Sequence, residues 1–467
     1  MSVCFALLAP AGAAAEIIHL KNGRTIWADQ VREKGNHLEY DVGDNTFAIP
    51  TNLVERVEMG VAHAVATPGP NSKDTQDFTA VPLYQTPLES SRLTERIVHD
   101  GKVDTDALTA LEEAGNSDDT ANGYFIAGRQ EFEGGNFAKA RRYLEAALRY
   151  GPENPTLLNY YAALLVRTGS AIQALTYAER AVRNAPDSPD ALTVLGYAQF
   201  SADRTKDAIQ TWKRSLTFRP DPLVEQYLKK AERESSAEAN YSERESNHFV
   251  LKFEGSATSE ELRGQLLSTL ESEYDDLTRD LGVAPHDSIS VVLYTDQVFF
   301  DVTHAPSWTG AVNDGKLRIP IRGVNSITPE LARVLKHELA HSFINQLSAG
   351  RCPQWLNEGL AQALEPKRVT NGRLLAEMFR TQHEIPLNAM EGSFMSMSPM
   401  QAAVAYDESL AAVQYIVDAN GMSDLQRVLQ RLSEGSSTEA ALRATIHSGY
   451  GQLETDLGKY LNDKYPN

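Results

Sequence analysis

Apolar and polar positions alternate at the start of the chain, from residue 16 to residue 60. Short alternating runs occur at residues 17–20, 25–27, 37–42, 46–49 and 54–57. Such alternation is typical of strands, and the Asn22-Gly23 pair between the first two runs favours a hairpin turn. We therefore predict a small N-terminal all-β module at residues 16–60. Its expected role is packing or docking.

Residues 61–120 lose this alternation. The segment is rich in Pro, Ser, Thr and Asp and carries only brief apolar patches. That composition is typical of linkers, because so few apolar residues cannot build a core of their own. We predict a partly disordered linker here, with one short helix near residues 90–98.

Small residues and prolines then recur every 34 residues. The matching positions are Gly128, Ala162 and Gly196; Ala140, Ala174 and Ala208; and Pro152, Pro186 and Pro220. Units 121–154, 155–188 and 189–222 resemble tetratricopeptide repeats, each of which is a helix pair. With a capping helix at residues 223–236, they predict an all-α solenoid over residues 121–236. Such a solenoid either binds a peptide or protein partner on its concave surface or acts as a rigid spacer.

Strand and helix patterns alternate in the last segment, residues 245–467. Strand patterns occur at residues 248–253, 289–294 and 317–321, and an amphipathic helix is predicted at residues 259–281. Pro320 places the third strand at a sheet edge, since proline cannot donate to a β ladder. The remainder has mainly helical periodicity. We predict an α+β domain.

The sequence HELAH at residues 337–341 lies inside the longest helical pattern of this domain. Thr328 suits the N-cap of that helix, and Gly350 suits its end. His337 and His341 are four residues apart, so they project from one face of the helix, one turn apart. Two imidazoles in this arrangement can bind one metal ion.

Two glutamates complete the predicted site. Glu338 is rotated by about 100° from His337, beside the metal rather than on it, where a general base for the attacking water must lie. Glu358 follows in the sequence WLNEGLA at residues 355–361. It can complete a set of two histidines and one glutamate that leaves a fourth position open, as in catalytic zinc sites. Zinc is the expected metal, with manganese, cobalt and iron as alternatives.

Together, HELAH and WLNEGLA resemble the gluzincin metallopeptidases, in particular the peptidase MA-like domains. The resemblance implies a zincin-like fold, zinc bound by His337, His341 and Glu358, and an edge strand that pairs with the substrate backbone. It also implies a tyrosine that donates to the developing oxyanion. Tyr406 is the candidate by position, with His383 as runner-up. The alternative for Tyr406 is an ordinary core tyrosine.

Composition and charge exclude several other classes of protein. A net charge of −19 and a pI near 5.1 argue against nucleic acid or anionic lipid as a partner. A mean hydropathy of −0.36 fits a globular protein, and no run reaches the roughly 20 apolar residues of a membrane span. Residues 1–15 have an apolar segment followed by alanines, which indicates a signal-like leader and export to the periplasm or cell exterior. A cytoplasmic protein with a disordered leader is the alternative.

These observations predict a multidomain zinc metallopeptidase whose repeats recruit a peptide or protein substrate or a partner. The chain lacks the Gly-x-Met-Glu-Asn sequence with which gluzincin aminopeptidases hold a substrate amino terminus. We therefore expect an endopeptidase. A catalytically inactive scaffold or assembly factor that retains the peptidase fold is the alternative.

Overall fold

The structure is a computed structural model. It describes residues 16–21, 25–28, 30–35, 37–42, 45–59, 91–303, 311–321, 323–365, 367–394 and 397–466. The predicted leader, the Asn22-Gly23 turn and residues 61–90 of the predicted linker lie outside these residues. The chain forms two compact units. One contains the N-terminal strands together with Ala311, and the other contains the remaining described residues from residue 91 onward.

The N-terminal unit is built from two small antiparallel sheets. Its strands are β1 (Glu16–Leu20), β2 (Thr25–Ala28), β3 (Gln30–Lys34), β4 (His37–Val42), β5 (Asn45–Pro50) and β6 (Val54–Met59). They are ordered β2-β1-β6 in one sheet and β3-β4-β5 in the other. Ile18 and Leu38 are its buried apolar side chains among those described. The small all-β module is thus confirmed.

The second half of the predicted linker is folded. It contains α1 (Ser91–Ile97), the hairpin β7 (Val98–His99) and β8 (Lys102–Val103), and α2 (Thr105–Ala114). Asp104 caps α2 by accepting hydrogen bonds from two backbone N–H groups. The short helix predicted near residues 90–98 is present as α1. The rest of this segment is folded and not a linker, because its brief apolar patches, including Leu108 and Leu111, pack on the first repeat helix and are buried.

Paired helices follow with the predicted period. They are α3 (Ser117–Glu133), α4 (Phe137–Tyr150), α5 (Pro155–Arg167), α6 (Ala171–Asn184), α7 (Pro189–Ser201), α8 (Thr205–Phe218) and the capping helix α9 (Pro222–Ala237). The small residues lie where paired helices touch: a Cβ on Gly196 would be 2.3 Å from Nε1 of Trp212. Arg214 donates to the carbonyl of Pro186, which ties one repeat to the turn before it. The all-α solenoid is confirmed.

The C-terminal part contains one sheet of order β12-β13-β11-β10-β9. Its strands are β9 (Ser242–Glu245), β10 (Phe249–Phe253), β11 (Ile289–Tyr294), β12 (Val312–Asn313) and β13 (Leu317–Pro320). The three central strands are parallel, while the two outer strands, β9 and β12, run antiparallel to their neighbours. The α+β prediction is confirmed, and the sheet begins before the predicted boundary at residue 245.

The edge-strand prediction for residues 317–321 is wrong. Strand β12 pairs outside β13, with Asn313 opposite Leu317. A turn through Gly315, at φ 98°, folds the chain back to make this pairing possible. Pro320 is the last residue of β13, beyond the end of β12, so its missing N–H costs no bond to the edge strand.

Helices cover the sheet and form the rest of the domain. They are α10 (Glu260–Leu281), α11 (Asp296–Thr303), α12 (Pro329–Ser348), α13 (Gln354–Leu364), α14 (Gly372–Thr381), α15 (Pro399–Asn420), α16 (Met422–Ser433), α17 (Thr438–Ile446) and α18 (Tyr450–Lys464). The ring of Phe249 packs on Tyr274 of α10, so this face of the sheet is apolar. Within the described part of the chain, no helix combines the length and apolar character that crossing a bilayer requires.

Candidate metal centre

Helix α12 carries the HELAH sequence. Thr328 accepts a hydrogen bond from the N–H of Leu331 and caps the helix, with proline at its first position. The helix ends where Ala349 and Gly350 adopt left-handed conformations. Helical geometry therefore places His337 and His341 one turn apart, and both are buried. Their rings lie 4.9 Å apart at 84°.

Helix α13 brings Glu358 to the two histidines. Oε2 of Glu358 lies 3.4 Å from Nε2 of His337 and 3.9 Å from Nε2 of His341. One possible ligand atom from each of the three residues lies within 4.8 Å of the others. The structure thus brings together the three predicted ligands, although 17 residues separate the glutamate from the nearer histidine in sequence.

Side chains behind these residues fix their orientation. Oδ1 of Asn357 lies 2.9 Å from Nδ1 of His341, and Oε1 of Glu365 lies 3.4 Å from Nδ1 of His337. The Nε2 atoms of both histidines face Glu358. The hydrogen bond between Asn357 and His341 is of the kind in which an outer partner sets the tautomer of a ligating histidine.

These outer partners were not predicted from the sequence. Gln354 also belongs to this group, because its Nε2 donates to Oε1 of Glu358 at 2.9 Å. A signal was present: Gln354, Glu358 and Glu365 are spaced so that they line one face of a single helix. Recognising it required knowing which face of α13 meets the histidines.

The electrostatics of the cluster fit a cation. Burial by itself would lower the pKa of His337, but the nearby carboxylates of Glu358 and Glu365 raise it to about 10. Burial lowers the pKa of His341, and the charge of Glu358 offsets this only in part. A cation held by His337 would compete with the proton that these carboxylates favour.

Several buried atoms of the cluster lack hydrogen-bond partners within the described part of the chain, among them Nδ1 of His337 and Oε1 of Glu365. Nε2 of His337 and Oε2 of Glu358 have no hydrogen-bond partner among the described residues. Burying a polar atom without a hydrogen-bond partner costs free energy of folding. A cation bound between these two atoms would remove that cost. A donor set of two imidazole nitrogens and one carboxylate oxygen suits zinc in a catalytic site.

Glu338 and Tyr406 lie next to this cluster. Glu338 is buried and follows His337 on α12. Tyr406, on α15, has its ring against Phe394 at 5.3 Å. Burial raises the pKa of Tyr406, and the charges of Glu358 and Glu338 raise it further. His383, the runner-up, is exposed at the end of α14.

Two family models match parts of the chain. Residues 272–463 match the Peptidase MA superfamily. Residues 127–171 and 173–222 match the tetratricopeptide repeat. No curated protein matches the chain.

Proposed function

From the premise that the chain carries a Peptidase MA superfamily domain behind tetratricopeptide repeats, we propose that it is a zinc-dependent endopeptidase. The observation that carries the proposal is the buried cluster of His337, His341 and Glu358, whose ligand atoms converge. Residues that can serve as base and oxyanion donor lie beside it. These roles suit hydrolysis of a peptide carbonyl.

His337, His341 and Glu358 would hold the zinc, which when bound supplies a Lewis acid that activates water and polarises the carbonyl. Glu338 accepts the proton of the attacking water and passes it to the leaving amine. The hydroxyl of Tyr406 donates to the oxygen on which negative charge develops. Gln354, Asn357 and Glu365 keep the ligands in orientation.

The substrate and setting are part of the same proposal. The chain lacks the sequence that holds a substrate amino terminus in the large aminopeptidases, which supports internal cleavage. Tetratricopeptide repeats suggest protein–protein interaction, so the repeats recruit a protein substrate or a partner. The leader supports action outside the cytoplasm, in the periplasm or beyond the cell.

Replacement of the proposed base tests the function. Glu338→Gln keeps the size of the side chain and removes the proton acceptor. We expect zinc to remain bound and kcat/KM on an unfolded casein-like substrate to fall about 10²-fold or more, a loss of about 3 kcal/mol. Tyr406→Phe should lower kcat by a similar factor with zinc retained.

Glu330→Gln is the matched control, because Glu330 is an exposed glutamate in the first turn of the same helix. It should leave cleavage unchanged. Metal analysis should find one zinc per wild-type chain and none in His337→Ala. Equal cleavage by wild type and Glu338→Gln would refute the proposed base. Full rescue of a deletion strain by Glu338→Gln would favour the inactive scaffold.

A further inference from the structure

The face of the sheet opposite α10 is polar, and the repeats cover it. Lys252, Val292 and Arg318 are aligned across β10, β11 and β13, and Ser290 lies on the same face. Lys252 and Arg318 are buried. Glu243 of β9 lies 3.6 Å from Lys252, and Asp314 of the hairpin pairs with Arg318. Further acids come from the solenoid.

Glu234 of the capping helix α9 is the centre of this junction. Its Oε1 accepts from NH2 of Arg318 at 2.9 Å, and each side chain is 1% exposed. Its Oε2 lies 3.5 Å from Nζ of Lys316. Asp314 contacts the same helix, because its Oδ2 lies 2.8 Å from Nζ of Lys230. Its Oδ1 lies 2.9 Å from Nε of Arg318.

A second part of the solenoid holds the same face. Asp203, in the turn between α7 and α8, lies 2.7 Å from Nζ of both Lys316 and Lys252. It also accepts from the hydroxyl of Ser290 at 2.9 Å. Two separate acids of the repeats, Glu234 and Asp203, therefore neutralise the cations of the sheet.

The charges at this junction depend on one another. Burial alone would lower the pKa of Lys316, but Glu234 and Asp203 raise it above its ordinary value. Burial would raise the pKa of Asp203, but Lys316 and Lys252 lower it. Removing one partner from such a network leaves an uncompensated buried charge, which is strongly unfavourable.

The hairpin β12–β13 connects this junction to the candidate metal centre. Asp314 and Lys316 lie in its turn, and Asn313 ends β12. Nδ2 of Asn313 donates to the carbonyl of Glu338 at 2.7 Å and to the hydroxyl of Ser342 at 2.8 Å. These two residues directly follow the two histidines on α12. The hairpin is thus held by the solenoid on one side and by the HELAH helix on the other.

We propose that Glu234, acting through Arg318 and Asp314, is a positioning residue for the peptidase site, so that the repeats fix the edge strand β12 against the HELAH helix. The inference rests on the proposed function for its effect on catalysis. The solenoid then contributes to catalysis, in addition to any role in recruiting a substrate or partner. An edge strand displaced by about 1 Å can cost up to about 10²-fold in rate.

The test compares full-length variants. Glu234→Gln should bind zinc as the wild type does, because no ligand is changed. Amide exchange in peptides covering residues 312–318 should become at least about ten-fold faster, since a buried charge pair no longer holds the hairpin. kcat/KM should fall about 10- to 100-fold. Asn313→Ala should reproduce the kinetic loss, since it cuts the contact with α12.

Glu232→Gln is the matched control. Glu232 lies on the same helix but pairs with Lys213 at an exposed site, at 2.8 Å, and its replacement should change neither exchange nor cleavage. If Glu234→Gln does not fold, Asp314→Asn carries the same test. Exchange of residues 312–318 equal to that of the control would overturn the inference. Exchange needs no peptidase activity, so an inactive wild type would refute only the proposed function.

Discussion

A methyl group on Gly359 should disturb the metal centre without touching a ligand. Gly359 follows Glu358 on α13, where that helix crosses α15. A Cβ at this position would lie 2.3 Å from the carbonyl oxygen of Ser409 and 2.7 Å from Cγ2 of Val413. The first obstacle is backbone, so no rotamer change relieves it. Gly359→Ala must therefore push the two helices apart.

The size of the effect follows from these distances. An ordinary contact needs about 3.4 Å, so the helices must separate by about 1 Å at the crossing. Overpacking of this kind costs about 1–3 kcal/mol, and alanine returns up to about 1 kcal/mol of helix propensity. We expect a net loss of about 1–2 kcal/mol in the free energy of unfolding. Zinc affinity should fall roughly ten-fold, because Glu358 moves away from the histidines.

Gly264→Ala provides the control. Gly264 is also a helical glycine, on α10, but a Cβ there would meet nothing within 4 Å. That variant should gain about 0.5–1 kcal/mol from propensity alone. Thermal melts and competitive zinc titrations of both variants measure the two effects. If Gly359→Ala melted at the temperature of Gly264→Ala and kept the zinc affinity of the wild type, the close crossing would not be what positions Glu358.

Two further predictions concern buried carboxylates. Glu365→Gln removes the negative charge behind His337, so zinc affinity measured by chelator competition should fall about 10- to 100-fold; an unchanged affinity would contradict that role. Burial raises the pKa of Glu408 from 4.5 to about 8, with Glu384 and Glu454 adding to the rise against one backbone hydrogen bond. Between pH 4.5 and about 8 the folded state holds a proton that the unfolded state releases, so the free energy of unfolding should fall with rising pH by up to about 5 kcal/mol. Urea titrations of Glu408→Gln should show that slope removed.

Features with a local signal were predictable from the sequence. The HELAH helix has its own cap at Thr328 and its own left-handed end at Ala349, so neither its bounds nor the pairing of its histidines depends on distant residues. The repeats are set by contacts within each helix pair, which recur with the period of the sequence. Glu358 could be predicted from the WLNEGLA motif, whereas its distance in sequence from the histidines would not have identified it.

Features that depend on distant partners were not predictable. The strand patterns of β10 and β13 predicted the two strands but not what covers their polar face, since a polar face normally meets water. Lys252 and Arg318 instead meet acids that precede them in the solenoid, Glu234 lying 84 residues before Arg318. The short helix near residues 90–98 was predicted, but the folding of residues 98–114 was not. The reason is the same, because their few apolar residues pack on a helix of the first repeat.

The two sides of the candidate site therefore have different origins. The ligands and their outer partners come from α12 and α13, which are adjacent in sequence and pack together. The edge strand β12 is held by Asn313 on one side and, through Arg318, by Glu234 of the repeats on the other. A peptidase fragment beginning near residue 245 would keep every proposed ligand but lose Glu234 and Asp203, which would leave the buried cations of its sheet only partly compensated. The repeat pattern of the sequence ends after residue 236. The structural unit that supports the candidate site does not end there, because it includes residues of the repeats as well as of the peptidase domain.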